Sequence, residues 1–133
     1  MSDPPRYTTD THPLVWHLRR SRRLSAKAQA CFQAADLGQA QIIIPTMVLV
    51  EVMYLAEHNR ITTQLNEVLT LVRTSTNYLI APLDEAIVTV AQTLPITVEL
   101  HDRLIAATAK ALNLPLITKD EILQNTQGLE TSW

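Results

Sequence analysis

Cysteine is nearly missing from this sequence. Cys31 stands alone, so neither an intramolecular disulfide nor a cysteine-built metal cluster can form, which suits a reducing cytoplasm. Glycine is almost as scarce, with two residues, and this excludes the glycine-rich phosphate loops of Walker or dinucleotide-binding type. No apolar run reaches the roughly 18 residues that a membrane span requires. The N-terminal Met1-Ser2-Asp3-Pro4-Pro5-Arg6 lacks the organisation of a signal peptide. A strong excess of charge is absent too. The net charge is -2, so any hold on nucleic acid must come from a local basic patch and not from the global field.

Hydrophobic residues make up 47% of the 133-residue chain, enough for one folded core, so a single domain over 1–133 is expected, with 1–5 as a flexible tail. The pattern alternates strands with helices. Arg6–Thr9 is β-prone and runs into Asp-Thr-His-Pro, a helix start with Pro13 in its first turn. Ser25 caps a second helix that Gly38 stops. Gln41–Ile44 is a β-branched run closed by Pro45. Helices follow over Thr46–His58 and Thr62–Arg73, then a strand over Tyr78–Pro82 and a helix over Asp84–Thr93. Leu100–Leu112 is an Ala-rich helix, Leu116–Thr118 a strand, Asp120–Gln124 a short helix and Leu129–Trp133 an edge strand. Strands separated by helices predict parallel pairing, and in such sheets sites form beyond the carboxyl ends of the strands.

Four carboxylates stand in or beside apolar stretches: Asp10, Glu51, Asp102 and Asp120. Desolvating a lone carboxylate is costly, so four such placements point to acids gathered in one pocket, and converging acids call for a cation. Each has an ordinary explanation. Asp10 and Asp120 can cap helices, and Asp102 suits the first turn of one. Glu51 has no capping role, because it interrupts Val48-Leu49-Val50 and Val52-Met53 in mid-helix. As a set the acids suit Mg²⁺ or Mn²⁺ and the hydrolysis of a phosphodiester. No His-x-x-x-His signature favours zinc. The hydroxyls of Thr11 and Thr118 can orient the neighbouring acids, with turn and cap roles as the alternative.

Elsewhere, Arg19-Arg20-Ser21-Arg22-Arg23 is the one dense basic cluster. It is either a solvated loop or a phosphate-binding patch beside the acids, and Arg103 is a further RNA-contact candidate. His12 and His101 adjoin the acids and offer proton transfer, with packing or capping as the ordinary reading, while Trp16 and Trp133 read as packing residues rather than base-stacking platforms and Cys31 as a small hydrophobe. Val48, Val52, Leu55, Leu65, Val68, Leu69 and Val72 exceed what one sheet face can cover, which leaves an interface on the Thr46–Arg73 helices.

The ordered motifs Thr9-Asp10-Thr11-His12-x-Leu14-Val15-Trp16, Ile44-Pro45-x-x-x-Leu49-Val50-Glu51-Val52, His101-Asp102-Arg103-Leu104-Ile105-Ala106-Ala107-Thr108-Ala109 and Leu116-Ile117-Thr118-Lys119-Asp120 span nearly the whole chain. In order and spacing they resemble the PIN-domain ribonucleases, specifically the VapC-type toxins of VapBC toxin–antitoxin pairs. The resemblance implies an α/β fold, a three-layer α/β/α sandwich around a mostly parallel sheet. It implies an Mg²⁺- or Mn²⁺-dependent endoribonuclease with Asp10, Glu51, Asp102 and Asp120 as metal ligands and Thr118 as a supporting hydroxyl. It further implies an RNA substrate, a homodimer and a VapB-type antitoxin. Other readings are a PIN nuclease of RNA maturation without an antitoxin, a phosphoacceptor receiver and an inert binding domain. A receiver needs an acid pair after its first strand, where this chain has Asp10 alone.

Overall fold

β-branched and aromatic residues build a five-stranded sheet in the computed structural model, which describes residues 3–133. β1 (Arg6–Thr9) and β2 (Gln41–Pro45) pair in parallel, with Tyr7 opposite Ile42 and Thr8 opposite Ile43. β3 (Tyr78–Ala81) adds outside β2. On the other side of β1 come β4 (Leu116–Ile117) and then β5 (Thr131–Ser132). The order is β3-β2-β1-β4-β5, and every pairing is parallel. Thr8 and Thr9 are both fully buried, as are Ile42 and Ile44, with Ile43 almost so. Successive strand residues face opposite ways, so both faces of the sheet are covered: this is the α/β/α sandwich.

Among the described residues seven helices supply the cover: α1 (Thr11–Leu18), α2 (Ala26–Asp36), α3 (Thr46–Glu57), α4 (Leu65–Thr74), α5 (Glu85–Gln92), α6 (Leu100–Leu112) and α7 (Glu121–Gln124). Ser25 caps α2 by accepting from the Ala28 N–H, and Gly38 ends it at φ +76, a backbone conformation that suits glycine. Asp84 caps α5 by accepting from the Ile87 N–H. α4 begins at Leu65, three residues later than the pattern from Thr62 predicts. The Glu67 carboxylate reaches back to the Gln64 N–H and sets the cap there, while Thr63 is buried as an acceptor for Arg19. Small residues let α6 lie close to its neighbours: Ala106, Ala107 and Ala109 are fully buried beside Ile105.

Residues 1 and 2 of the expected tail lie outside the described residues, and at its other end the Pro5 carbonyl accepts from the Gln41 N–H at 2.9 Å. One expectation needs correction. The surplus apolar surface is real, yet it is not made of the residues singled out. Val48, Val52 and Val68 are core, and Leu55, Leu65, Leu69 and Val72 are partly covered. The exposed face of α3 is instead Val50, Met53 and Tyr54. A period of 3.6 residues separates the two sets, and α1, α4 and α6 pack on α3 as well as the sheet. No helix among the described residues is long and apolar enough to cross a membrane.

The sheet has one switch point. From β1 the chain moves to β2 and β3 on one side, then crosses back to β4 and β5 on the other. With right-handed crossovers the helices of the two halves splay apart where β1 and β4 end, leaving a crevice there. Burial of the central strands sets the cost of disturbing this frame. Ile44→Ala should destabilise the protein by about 2–5 kcal/mol, whereas Val50→Ala on the exposed face of α3 should stay within about 0.5 kcal/mol. Urea denaturation of the two variants measures both.

Candidate active site

Asp10 is the first residue past β1 and Asp120 lies three past β4, so the two adjacent strands that flank the switch point deliver them to the same crevice. Asp10 caps α1: its Oδ1 accepts from the Thr11 N–H at 2.8 Å. Its Oδ2 accepts from the Thr118 hydroxyl, also at 2.8 Å. Thr118 is fully buried and its Oγ1 accepts in turn from the Asp120 N–H at 3.1 Å. Asp120 caps α7 by accepting from the Ile122 and Leu123 N–H groups. Capping and membership of the acidic cluster are thus one arrangement for these two residues, not rival explanations.

Glu51 comes from the second turn of α3 and Asp102 from the first turn of α6. Thr11, buried at the start of α1, donates its hydroxyl to Glu51 Oε1 at 2.8 Å. The four acids line a single cleft of about 600 Å³ together with His12, Pro13, Trp16, Arg23, His101, Lys119 and Glu121. Within it, ligand atoms of Glu51, His101 and Asp102 all lie within 4.8 Å of one another, while Asp10 and Asp120 stand at the same cleft outside that tighter group. The carboxylate oxygens make a donor set that fits Mg²⁺ or Mn²⁺, and one imidazole stands with them.

Proximity and burial show in the acidities. Burial pushes the Asp10 carboxyl above its usual range, Asp120 nearby adds to the rise, and the bonds from Thr118 and Thr11 and the charge of His12 oppose it. Burial likewise raises Glu51, against the Thr11 hydrogen bond and His101. Asp102 is pushed up to about 6, by burial first and then by Asp10, Asp120 and Glu51, with His101 pulling the other way.

Two site residues stand closer to the acids than sequence reasoning placed them. His101 reads there as a packing or capping residue, but its Nε2 lies 3.2 Å from Glu99 Oε2 and 3.6 Å from both Glu51 Oε2 and Asp102 Oδ1. Its position one residue before Asp102 was the available signal. Lys119, one residue before Asp120, lines the cleft with its Nζ 5.6 Å from the centre of the Trp16 ring. The arginine run does not act as a unit. Arg19 donates to Thr63 Oγ1 and to both oxygens of Glu67, tying α1 to α4. Arg20 lines a different hollow with His17 and Asp36, and Arg22 is exposed. Arg23 alone of the four reaches the acidic cleft. Arg103 does not line it. Its Nε is buried without a hydrogen-bond partner among the described residues.

Two measurements probe this geometry. Thr118→Val removes the hydroxyl that serves a mostly buried carboxylate, and should cost about 1–3 kcal/mol in urea denaturation. A raised acid destabilises the folded state above its folded value and ceases to do so as it protonates on acidification, whereas the unfolded chain stays ionised down to the ordinary carboxylate range. In EDTA, Asp102→Asn should therefore melt above wild type at about pH 7.5, and that gap should shrink toward about pH 5. Pairwise differences in melting temperature isolate this from His17, whose burial lowers it and gives the opposite slope.

The sequence from residue 7 to residue 129 matches the PIN domain family. No curated protein matches it. Among solved structures it is similar to VapBC2 from Rickettsia felis bound to a DNA fragment from their promoter, with TM-score 0.67 and 17% identity over 95% of this chain and 96% of that one. It is also similar to a toxin–antitoxin complex from Klebsiella pneumoniae, with TM-score 0.63 and 24% identity over 92% and 94% of the two chains. DNA-bound VapBC from Salmonella typhimurium gives TM-score 0.66 and 14% identity over 96% of each. At these identities the structures speak to the fold alone. The sequence match runs from β1 past α7, through all four acid positions, and the chain belongs to the PIN domain family.

Proposed function

We propose that this protein is the toxin of a type II toxin–antitoxin pair, a metal-dependent endoribonuclease that acts in the cytoplasm. The observation that carries the reading is the convergence of Asp10, Glu51, Asp102 and Asp120 on one cleft at the sheet's switch point. The toxin–antitoxin complexes among its structural neighbours support the toxin role over RNA maturation.

When bound, Mg²⁺ or Mn²⁺ supplies activation of a water and neutralisation of the charge that builds on the scissile phosphate. Asp10, Glu51, Asp102 and Asp120 would hold it. The protein's own work is to keep these groups at fixed positions before substrate arrives. Thr11 and Thr118 hold Glu51 and Asp10 by their hydroxyls, and the backbone of α7 holds Asp120. An acidic cleft repels RNA, so cationic groups at its rim must offset that repulsion. Arg23 and Lys119 occupy that rim. Arg19 does not serve RNA on this reading, because Glu67 and Thr63 already engage it.

The exposed Val50, Met53 and Tyr54 of α3 form the docking face for a VapB-type antitoxin, which would lay an apolar helix across them. Val50 is the neighbour of Glu51, so a basic side chain on that partner could reach the acids and compete with the metal. Self-association into a homodimer belongs to the same proposal.

Asp10→Asn and Asp102→Asn should each abolish metal-dependent RNA cleavage while keeping the fold, since the amide preserves the shape of the ligand and removes its charge. RNA cleavage assays in Mg²⁺, Mn²⁺ or EDTA, with circular dichroism alongside, decide this. Expression of wild type should arrest bacterial growth and Asp102→Asn should not. A harmless wild type that still cleaves RNA would return the protein to RNA maturation.

Neutralising Arg23 and Lys119 together should weaken RNA binding and reduce the salt slope of log Kd by about 2, one for each phosphate contact. Arg19→Gln should leave that slope alone and lower thermal stability instead. Binding titrations across a salt series separate the two effects.

A further inference from the structure

His101 is a cleft residue to which the carboxylate chemistry gives no task. It sits in the first turn of α6 beside Asp102, and the packing of α3 against α6 brings Glu51 to the same place. Its Nε2 lies 3.6 Å from Glu51 Oε2 and 3.6 Å from Asp102 Oδ1, beyond ordinary hydrogen-bond distance. Donors on neighbouring corners of a six-coordinate ion stand about 3 Å apart, so a small closing movement of these side chains would let them share one. The three ligand atoms together fit within 4.8 Å. The shorter 3.2 Å approach of the same nitrogen to Glu99 involves a side chain 73% exposed, which is free to swing away.

The donor type matters as much as the distance. Mg²⁺ favours an all-oxygen shell and gives up water reluctantly, whereas Mn²⁺, the first-row transition ion with the weakest hold on such donors, still accepts an imidazole nitrogen more readily than Mg²⁺ does. We propose that His101 Nε2 is a nitrogen ligand to the divalent ion held between Glu51 and Asp102, so that this site prefers Mn²⁺ to Mg²⁺. The inference rests on the metal-dependent nuclease reading and adds to it the identity of a fifth ligand and a metal preference.

The test loads the full-length protein with Mn²⁺ alone and looks for directly bonded imidazole nitrogen by electron spin-echo spectroscopy. Wild type should show the ¹⁴N coupling, and ¹⁵N-labelled histidine should convert it. His101→Gln should lose the coupling, and His12→Gln should retain it. In parallel, calorimetry with each ion should show the Mn²⁺-to-Mg²⁺ affinity ratio falling by about tenfold or more in His101→Gln, with Mg²⁺ affinity little changed. Mn²⁺ bound without nitrogen coupling, coupling lost only in His12→Gln, or an unchanged ratio would each overturn the proposal and leave the nuclease reading standing. Should His101→Gln fail to fold, the wild-type and His12→Gln spectra still decide. Failure of wild type to bind either ion would overturn both readings.

Discussion

Four carboxylates held near one another in a partly buried cleft repel, and nearly everything around the cleft answers that constraint. The repulsion is visible in Asp102, pushed up to about 6 by burial and by its acidic neighbours. The protein meets it by fixing the acids with neutral donors. Asp10 takes a backbone N–H and a buried hydroxyl, Glu51 takes a buried hydroxyl, and Asp120 takes backbone N–H groups. Neutral donors hold a carboxylate in place without cancelling its charge, which leaves the cleft able to attract a cation. An arginine in their position would hold the acids equally well and spoil the site.

The topology explains why these residues can be so far apart in sequence. The Thr118–Asp10 bond spans nearly the length of the chain, yet β1 and β4 are neighbours, so two consecutive strand ends suffice to make it. Thr11 then ties the start of α1 to α3. Asp10 and Thr118 each follow a strand end, Asp10 and Thr11 start α1, and all three belong to the site. A substitution at any of them has to be judged on stability and chemistry together.

Much of this was legible in the sequence because it follows from local rules. The strands show as β-branched runs, Ser25 and Gly38 mark the limits of α2, and an acid amid Val48–Met53 has no easy explanation on a helix outside a site. What was not legible depended on which way a helix rolls. Val48 and Val52 look like surplus but are fully buried among the elements packed on α3, and Val50, Met53 and Tyr54 are left outside instead. The arginine run reads as a unit in sequence. A turn in which Arg20 adopts φ +54 sends its members to different places, one to Glu67 and one to the cleft. His101 was passed over because the surrounding acids come from distant segments, and only folding shows that it stands among them.

The two tryptophans of the chain come from opposite ends of the sequence, yet their rings lie 6.0 Å apart, and Trp16 is part of the cleft wall beside His12 and Lys119. Tryptophan emission from this protein accordingly originates in one neighbourhood, with a cationic side chain against one of the two emitters. The molecule carries a native optical reporter at the cleft, and no label need be attached to watch that region fill, empty or come apart.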